Sequence, residues 1–397
     1  MKPSAFLVGH ATHPDWRMAL AMAAAQLDAQ AAAAPHGTPP ASLGLIYFTD
    51  AYADQAQALH QALHDRWPGV RWAGCAAIGV AASGVEYFDE PALVIMLCPL
   101  APGSFEVYSG TRPLGAAGGA SAAHTALVHA DPATTDLGEL VTELSERVAT
   151  GYLFGGLVSS RAGAMQVAEG VFDGGLSGVA FGPGVALVSR VTQGCQPVGP
   201  ERVITAADGP LVLTLDGRPA LPCLLEDLGI TLDDPRKAMP VLRATLVGLT
   251  DADAALLGRG GQFGPDVRAR HLIGLDPARQ AVAVAERVEP GMRLAFSQRH
   301  TEAARRDLVR ICSEIRDEVE SDDSGPDPAG DARRILGAIY VSCNGRGGPH
   351  FGAPSAELKI VQRALGDVPL AGFFAAGEIA RRHLYGYTGV LTVFTSR

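Results

Sequence analysis

Lysine is almost missing from this chain of 397 residues, since only Lys2, Lys237 and Lys359 occur in it. Lys and Arg together number 32, against 42 Asp and Glu, which gives a formal net charge of −10. Nucleic-acid affinity comes mostly from clustered Lys and Arg, so the charge argues against a nucleic-acid partner. Charged residues are only 19% of the chain and apolar residues are 47%, which excludes a disordered chain. The length and composition predict about two or three compact units.

Long apolar runs and targeting signals are also lacking. The first ten residues contain no signal-peptide core and no cleavage site. The alanine-rich segment 18–34 is interrupted by Gln26, Asp28 and Gln30, whereas a membrane span needs about 20 mostly apolar residues. We therefore predict an amphipathic helix in this segment and a cytoplasmic protein that does not contact a membrane.

Spacings typical of metal sites and catalytic sites are absent as well. No C-x-x-C pair occurs, which argues against a zinc ribbon or a thioredoxin-type site and predicts reduced thiols. There is no P-loop, and the glycine-rich segments 258–263 and 345–350 each lack the sixth glycine of a dinucleotide fingerprint. Ser177 is followed by Val179 where a nucleophile motif needs glycine. The sequence thus predicts no bound metal and no enzymatic activity.

What the chain does contain is an internal repeat. Residues 43–48 resemble residues 336–341, a predicted helix follows each run, and residues 70–79 then resemble residues 368–377. A weaker third copy lies between them, around the strand 152–156. Strand–helix–strand units that alternate with hairpins predict an α/β (mixed α+β) fold with mixed sheets flanked by helices. We predict two related lobes, which correspond to domains at residues 1–200 and 201–397.

One candidate site follows the second copy of the repeated strand. Residues 342–348 form a glycine-rich loop, and such a loop can expose successive backbone N–H groups to an anion. Arg346 offers a planar donor pair for a carboxylate or a phosphate. Cys343 would then lie near positive potential, which lowers the pKa of a thiol. The alternative is a structural turn with a buried, inert cysteine.

A second candidate is Glu378, which comes directly after the apolar strand 370–374. A carboxylate is costly to bury unless something pairs with it, and either Arg346 or a ligand ammonium could be that partner. The alternative is an exposed glutamate beside Arg381 and Arg382. The first copy of the repeat has Val80 at the aligned position, so we expect one site per chain, in the C-terminal half.

These motifs carry a family resemblance. The second half of the chain resembles the C-terminal half of FIST (F-box and intracellular signal transduction) proteins, and the first half is similar to their N-terminal half. The motifs that carry the resemblance are residues 74–75, 155–157, 176–179, 194–199, 343–347, 372–374, 377–379 and 387–390.

The resemblance implies an intracellular sensory module that binds a small ligand, with amino acids or related metabolites as the proposed class. Such modules act alone or with signalling partners such as histidine kinases. Some bacterial members resemble haem-based nitric-oxide sensors, so haem is a possible cofactor here, although the favoured reading has none. Haem would need an axial ligand, for which the candidates are His124, His129, His271, His300, His350 and His383.

The favoured hypothesis is therefore a cytoplasmic sensor of a zwitterionic amino acid. Arg346 would take the ligand carboxylate and Glu378 the ammonium. The alternatives are a haem-dependent nitric-oxide sensor and a cysteine enzyme that uses Cys343 with His350. The candidate ligand-binding residues are Arg346, Glu378, Cys343, Asn344, Gly345, Gly377 and Thr388.

Overall fold

The computed structural model describes residues 6–35, 37–115, 123–252, 267–321 and 333–396. Two compact units are present, which we name the repeat unit and the barrel unit. The repeat unit comprises Met1–Thr192, Leu308–Leu384 and Thr388–Arg397, and the barrel unit comprises Gln193–Asp307 and Tyr385–Tyr387. The glycine-rich segment 258–263 lies outside the described residues. No helix within the described ranges is both long enough and apolar enough to cross a membrane.

The first repeat occupies residues 7–98 of the repeat unit. Its elements are β1 (Leu7–Thr12), α1 (Trp16–Ala33), β2 (Leu43–Thr49), a 3-10 helix (Asp50–Gln55), α2 (Ala56–Arg66), β3 (Arg71–Ala77), β4 (Gly79–Ala82), β5 (Val85–Phe88) and β6 (Ala92–Cys98). Strands β2 and β3 pair in parallel, since the crossover helix α2 connects them. Strand β6 pairs antiparallel with the other side of β2, and β1 follows at the edge.

The second repeat has the same order of strands, but among the described residues it has no counterpart of α1 or of the 3-10 helix. Its elements are β7 (Phe105–Tyr108), β8 (Thr125–Ala130), α3 (Leu137–Glu146), β9 (Tyr152–Leu157), β10 (Gln166–Ala168), β11 (Val171–Phe172) and β12 (Leu176–Phe181). Strands β8 and β9 are again parallel, and β12 lies antiparallel to β8. The weak third copy predicted from the sequence is therefore a full repeat.

The barrel unit is built from antiparallel strands that close on themselves. After β13 (Ala186–Gln193) come β14 (Cys195–Pro197), β15 (Arg202–Asp208), β16 (Leu211–Leu215), β17 (Arg218–Pro219), α4 (Ala220–Leu228), α5 (Pro235–Ala244), β18 (Thr245–Thr250), β19 (Arg268–Asp276), β20 (Ala281–Val284) and β21 (Arg293–Arg299). The strand order is β21-β15-β16-β20-β19-β18, and β18 pairs back with β21. The closure leaves a core that includes Ile204, Val212, Leu224 and Phe296.

The third repeat completes the repeat unit. It consists of β13 and, after the barrel unit, α6 (Thr301–Ser321), β22 (Ile335–Cys343), a 3-10 helix (Gly348–Phe351), α7 (Ala356–Leu365), β23 (Leu370–Ala375), β24 (Glu378–Arg381), β25 (His383–Tyr385) and β26 (Thr388–Thr395). The parallel pair is β22–β23, and β26 and β13 continue the sheet on the other side of β22.

Each repeat donates one hairpin to the sheet of another repeat. The β4–β5 hairpin of the first repeat adds to β23 of the third. The β24–β25 hairpin of the third adds to β9 of the second, and the β10–β11 hairpin of the second adds to β3 of the first. Three six-stranded sheets result, and none of them is complete without a second repeat.

Glycine occupies one equivalent position in all three parallel pairs. A Cβ built there would lie impossibly close to a carbonyl oxygen of the neighbouring strand. The distances are 1.7 Å for Gly74 to Ile46 O, 2.0 Å for Gly155 to Val128 O and 1.8 Å for Gly372 to Tyr340 O. These glycines therefore allow the parallel strands to approach where the repeats meet.

The outer edge of β1 is covered by glutamine side chains rather than by a strand. Gln26 accepts from His10 N–H at 3.2 Å and donates to His10 O at 2.7 Å. Gln30 makes the same pair of bonds to the backbone of Val8, at 3.1 and 2.7 Å. Two of the three polar residues that interrupt the alanine-rich segment thus satisfy an edge strand, which removes a template for pairing with other chains.

The predicted fold class is confirmed, with mixed sheets flanked by helices. Sequence similarity aligns Gly44 with Gly337, but strand pairing aligns Gly44 with Ala338, one residue later. Gly44 lies opposite Trp72, and Ala338 lies opposite Leu370, the counterpart of Trp72 in the third repeat. Both strands are largely buried on both faces, so no alternation of polar and apolar residues fixes their alignment. By the same register, Cys343 corresponds to Thr49 rather than to Asp50.

Substituting the shared glycines tests the close approach of the parallel strands. We expect Gly74→Ala, Gly155→Ala and Gly372→Ala each to lower the free energy of unfolding by at least about 3 kcal/mol, because backbone has to move. Gly110→Ala is the control, since a Cβ there meets nothing within 4 Å. Chemical denaturation monitored by circular dichroism gives the comparison; equal stability of Gly110→Ala and the other three would contradict the packing described.

Candidate functional site

The candidate residues of the third repeat converge where β22, β24 and β26 begin or end. Cys343 is the last residue of β22 and lies opposite Ala375, and the next residue, Asn344, donates its N–H to Ala375 O at 2.8 Å. Glu378 begins β24 and Thr388 begins β26. Gly377 is buried and its carbonyl accepts from Leu157 N–H at 2.8 Å. The fold thus places the predicted residues around one point.

Glu378 is completely buried and only partly satisfied. Its Oε2 accepts from Thr388 N–H at 3.1 Å and from Thr388 Oγ1 at 2.6 Å. Its Oε1 has no hydrogen-bond partner among the described residues. Burial raises the pKa of the carboxyl to about 8, against smaller lowering effects of Thr388, Arg346 and the nearby Cys343 thiol. Glu378 therefore holds a proton at neutral pH when nothing else pairs with it.

The other two repeats place different residues at the position of Glu378. Gln166 lies opposite Cys75, as Glu378 lies opposite Gly156. Gln166 accepts from Ser177 Oγ at 2.7 Å through Oε1, and its amide group donates to the backbone carbonyls of residues 174 and 175 at 3.2 and 3.3 Å. In the first repeat the position holds Val80, opposite Phe373. Only the third repeat has an acid here.

Arg346 lies in a buried ion pair with Glu357, a residue that the sequence analysis missed. Its Nε donates to Glu357 Oε1 at 2.6 Å, and the two side chains are 1% and 0% exposed. Arg346 Nη2 also donates to Thr192 Oγ1 at 3.2 Å. Tyr340 and Ser342 add hydroxyl donors to the same carboxylate, at 2.6 Å and at 3.0 to 3.2 Å. The Glu357 carboxylate is thus bonded from several sides, as a buried charge pair requires.

Side chains at the end of β22 thus contact two carboxyl groups. Successive side chains of a strand point to opposite faces of its sheet. Tyr340 and Ser342 bond to Glu357 of α7, whereas Cys343 lies on the other face, beside Glu378. Two buried carboxyl groups therefore flank the loop that carries Arg346.

The structure decides one of the alternatives that the sequence analysis left open. The exposed-glutamate alternative for Glu378 is wrong, because its side chain is 0% exposed, with β9 beside it in the sheet and the start of β26 bonded to it. Cys343 is buried, and Asn344 and Gly345 are half-buried. One signal for Glu357 existed in the sequence: it shares the buried stripe of α7 with Val361, four residues on, and a charge on such a stripe predicts a buried partner.

The histidines proposed as haem ligands are scattered. His129 is fully buried between the rings of Tyr47 and Phe373, at centroid distances of 5.5 and 5.7 Å. Its Nε2 is 3.2 Å from Tyr47 Oη, and burial lowers its pKa to about 3. His271 Nε2 is 2.8 Å from the Tyr387 hydroxyl, and His300 Nδ1 accepts from Ala303 N–H. His129 does not fit an axial ligand, since core side chains enclose its ring.

The comparison with known families agrees with this architecture. The profile of the FIST N domain matches residues 42–218, and the profile of the FIST C domain matches residues 220–381. The chain is a member of the FIST family. Within this FIST protein, the FIST N match contains the first repeat from β2 onward and the whole second repeat. The FIST C match begins at α4 and includes the third repeat as far as β24.

Relatives of this FIST protein span its whole length. An uncharacterized protein of Mycobacterium tuberculosis is 32% identical over 403 residues, which cover 98% of each chain. An uncharacterized protein of Mycobacterium bovis is 31% identical over the same share of both chains. FIST domains are associated with signal transduction and ligand sensing.

The ion pair of this FIST protein gives a first prediction. Arg346→Ala should lower the free energy of unfolding by about 3–5 kcal/mol, because it leaves Glu357 buried without its counter-charge. Adding Glu357→Gln to that variant should recover part of the loss, since the remaining group is neutral. Urea denaturation of the single and double variants measures the coupling, and a double variant less stable than Arg346→Ala would contradict it.

The second prediction concerns Glu378 and pH. Its folded-state pKa of about 8 lies above the ordinary 4.5, so its stabilising contribution is complete below about pH 4.5 and is lost as the pH rises to 8. Each pKa unit corresponds to about 1.4 kcal/mol. We expect Glu378→Gln to be more stable than the parent chain at pH 8, by about 1–3 kcal/mol, and to flatten the pH dependence between pH 5 and 8.

The control for this measurement is Glu90→Gln, which changes an exposed carboxyl. It should leave the pH dependence of unfolding unchanged. A Glu378→Gln variant whose stability falls between pH 5 and 8 as steeply as that of the control would show that Glu378 is ionised in the folded protein.

Proposed function

We propose that this FIST protein is an intracellular sensor that binds an amino acid or a related amine metabolite. It passes the signal to a separate partner protein, of which a histidine kinase is one kind. Its action is binding rather than catalysis. The ligand would lie at the end of β22, next to Glu378, Cys343 and Thr388, with the backbone of Asn344 and Gly345 at its border.

The observation that supports this proposal is the unmatched carboxylate oxygen of Glu378. Around the end of β22, two fully buried carboxyl groups, Glu357 and Glu378, accompany the single buried guanidinium of Arg346. Glu357 is the carboxylate that Arg346 pairs with directly, so Glu378 needs a proton or an external cation. A ligand ammonium supplies that cation and a donor for Oε1.

The carboxylate end of the ligand is less strongly defined. Arg346 remains the proposed contact, but its guanidinium already binds Glu357 at 2.6 Å. A ligand carboxylate would share the guanidinium with Glu357, because the N–H groups of residues 344, 346, 347 and 348 already bond to Ala375 O, Cys343 O and Glu86 Oε2. We therefore expect amines without a carboxylate to bind too, although more weakly than amino acids.

Ligand binding should release a proton, because an ammonium group favours the ionised form of Glu378. Between pH 6 and 8 the affinity of an amino acid should rise with pH, by up to about tenfold for each unit. Calorimetric titration in buffers of different ionisation enthalpy measures the proton released. An affinity that stays constant over this range would contradict ionisation of Glu378 on binding.

The deciding experiment is a thermal-shift screen of the full chain against the common amino acids, simple primary amines and haem. A ligand that binds only the folded state raises the melting temperature. We expect a stabilising amino acid for the parent chain and for Glu90→Gln, and no stabilisation for Glu378→Gln. Glu378→Gln is preferable to Arg346→Ala here, since Gln166 shows that an amide is accommodated at the equivalent position.

The same screen, together with haem absorbance and the alkylation rate of Cys343, tests the alternatives. Haem titration that produces a Soret band while no amino acid stabilises the chain would replace the proposal with haem-based gas sensing. If alkylation of Cys343 proves much faster than that of free cysteine at neutral pH, the cysteine enzyme becomes the better hypothesis. A full panel of amines that leaves the melting temperature unchanged would reject the amine site.

A further inference from the structure

Glu86 connects the hairpin of the first repeat to the loop that borders the candidate site. Its Oε2 accepts from Gly348 N–H at 3.2 Å. Its Oε1 accepts from Glu357 N–H at 3.1 Å and from Leu358 N–H at 3.2 Å. One half-buried carboxylate therefore holds both the end of the 344–348 loop and the first turn of α7.

Helix α7 does not have this cap from its own sequence. Its N-cap residue, Ser355, has φ 58° and makes no side-chain cap to the helix. Its hydroxyl oxygen instead accepts from Glu86 N–H at 3.0 Å. The first N–H groups of a helix need acceptors, and here Glu86, some 270 residues away in the chain, supplies the acceptor.

The surroundings of Glu86 make its charge sensitive to pH. Burial and the neighbouring Glu357 raise the pKa of its carboxyl to about 7, against lowering effects of the three backbone donors. Helix α7 also carries Lys359, whose Nζ is 3.4 Å from Pro354 O, and Arg363 in its last turn. In the loop, Arg346 pairs with Glu357, and on β5 Tyr87 bonds to His10 at 2.6 Å.

We propose that Glu86 positions the ligand-binding loop and the start of α7, and that ionisation of its carboxyl loosens both. The pKa of the bonded, half-buried carboxyl lies above its ordinary 4.5, so the bonded arrangement holds a proton more tightly than a released, exposed carboxyl does. Ionisation therefore places an unfavourable half-buried charge beside Glu357, and the three backbone bonds offset only part of that cost. This regulation rests on the proposed function only in that the loosened loop is the one at the amine site.

Hydrogen exchange of the full chain without any ligand tests the proposal directly. In the parent chain we expect protection factors of the peptide that spans residues 344–358, corrected for intrinsic rates, to fall about tenfold from pH 6 to pH 8. Glu86→Gln should remove this pH dependence, because its amide group does not ionise. Glu90→Gln, four residues away and exposed, should behave as the parent chain.

The outcomes separate this inference from the proposed function. If the protection of residues 344–358 does not depend on pH in the parent chain, or if Glu86→Gln keeps the parent's pH dependence, the role of Glu86 is overturned whether or not an amine binds. If Glu86→Gln fails to fold, the parent chain's own pH profile decides, and protection that falls between about pH 5 and 7 and levels off above pH 7 supports the proposal. pH-dependent protection without any stabilising amine rejects the proposed ligand and leaves the role of Glu86 supported.

Discussion

The exchange of hairpins among the three repeats is the constraint on which the rest of the repeat unit depends. No sheet of this unit is complete within its own repeat, since β4, β10 and β24 each pair with a strand of a different repeat. The exchanged strands contribute buried residues such as Val80, Val167 and Ile379. Removing one repeat would expose apolar surface and unpaired backbone in the other two, so the three have to fold as one cooperative unit.

The same exchange positions the candidate site. Glu378 stands on a hairpin that belongs to the third repeat but pairs with β9 of the second, while Cys343 stays on β22. Glu86 lies on the hairpin of the first repeat and bonds to Glu357 N–H of the third. Each of these contacts therefore involves a hairpin that belongs to one repeat in the chain and to the sheet of another repeat.

Features that depend on neighbouring residues in the chain could be predicted from the sequence. Contacts between different repeats could not. The helix predicted after residues 336–341 is α7, and the placement of Glu378 after a buried strand indicates a carboxyl in need of a partner. The partner of Arg346 could not be chosen from sequence, because Glu357 reaches it only across the turn that brings α7 back over β22. Glu86 gave no local signal, since its role exists only through pairing of the first repeat with the third.

The three repeats provide an internal comparison for the acid at position 378. Valine fills the equivalent position without polar atoms, and Gln166 fills it with each amide atom bonded. Glutamate keeps the hydroxyl partner but leaves one buried oxygen without a bond and holds a proton at neutral pH. Functional positions typically hold a residue that makes the folded protein less stable than another residue would, because the residue is needed for binding. Glutamate in place of glutamine at this position fits that pattern. This comparison, rather than burial by itself, is the physical argument for a ligand at Glu378.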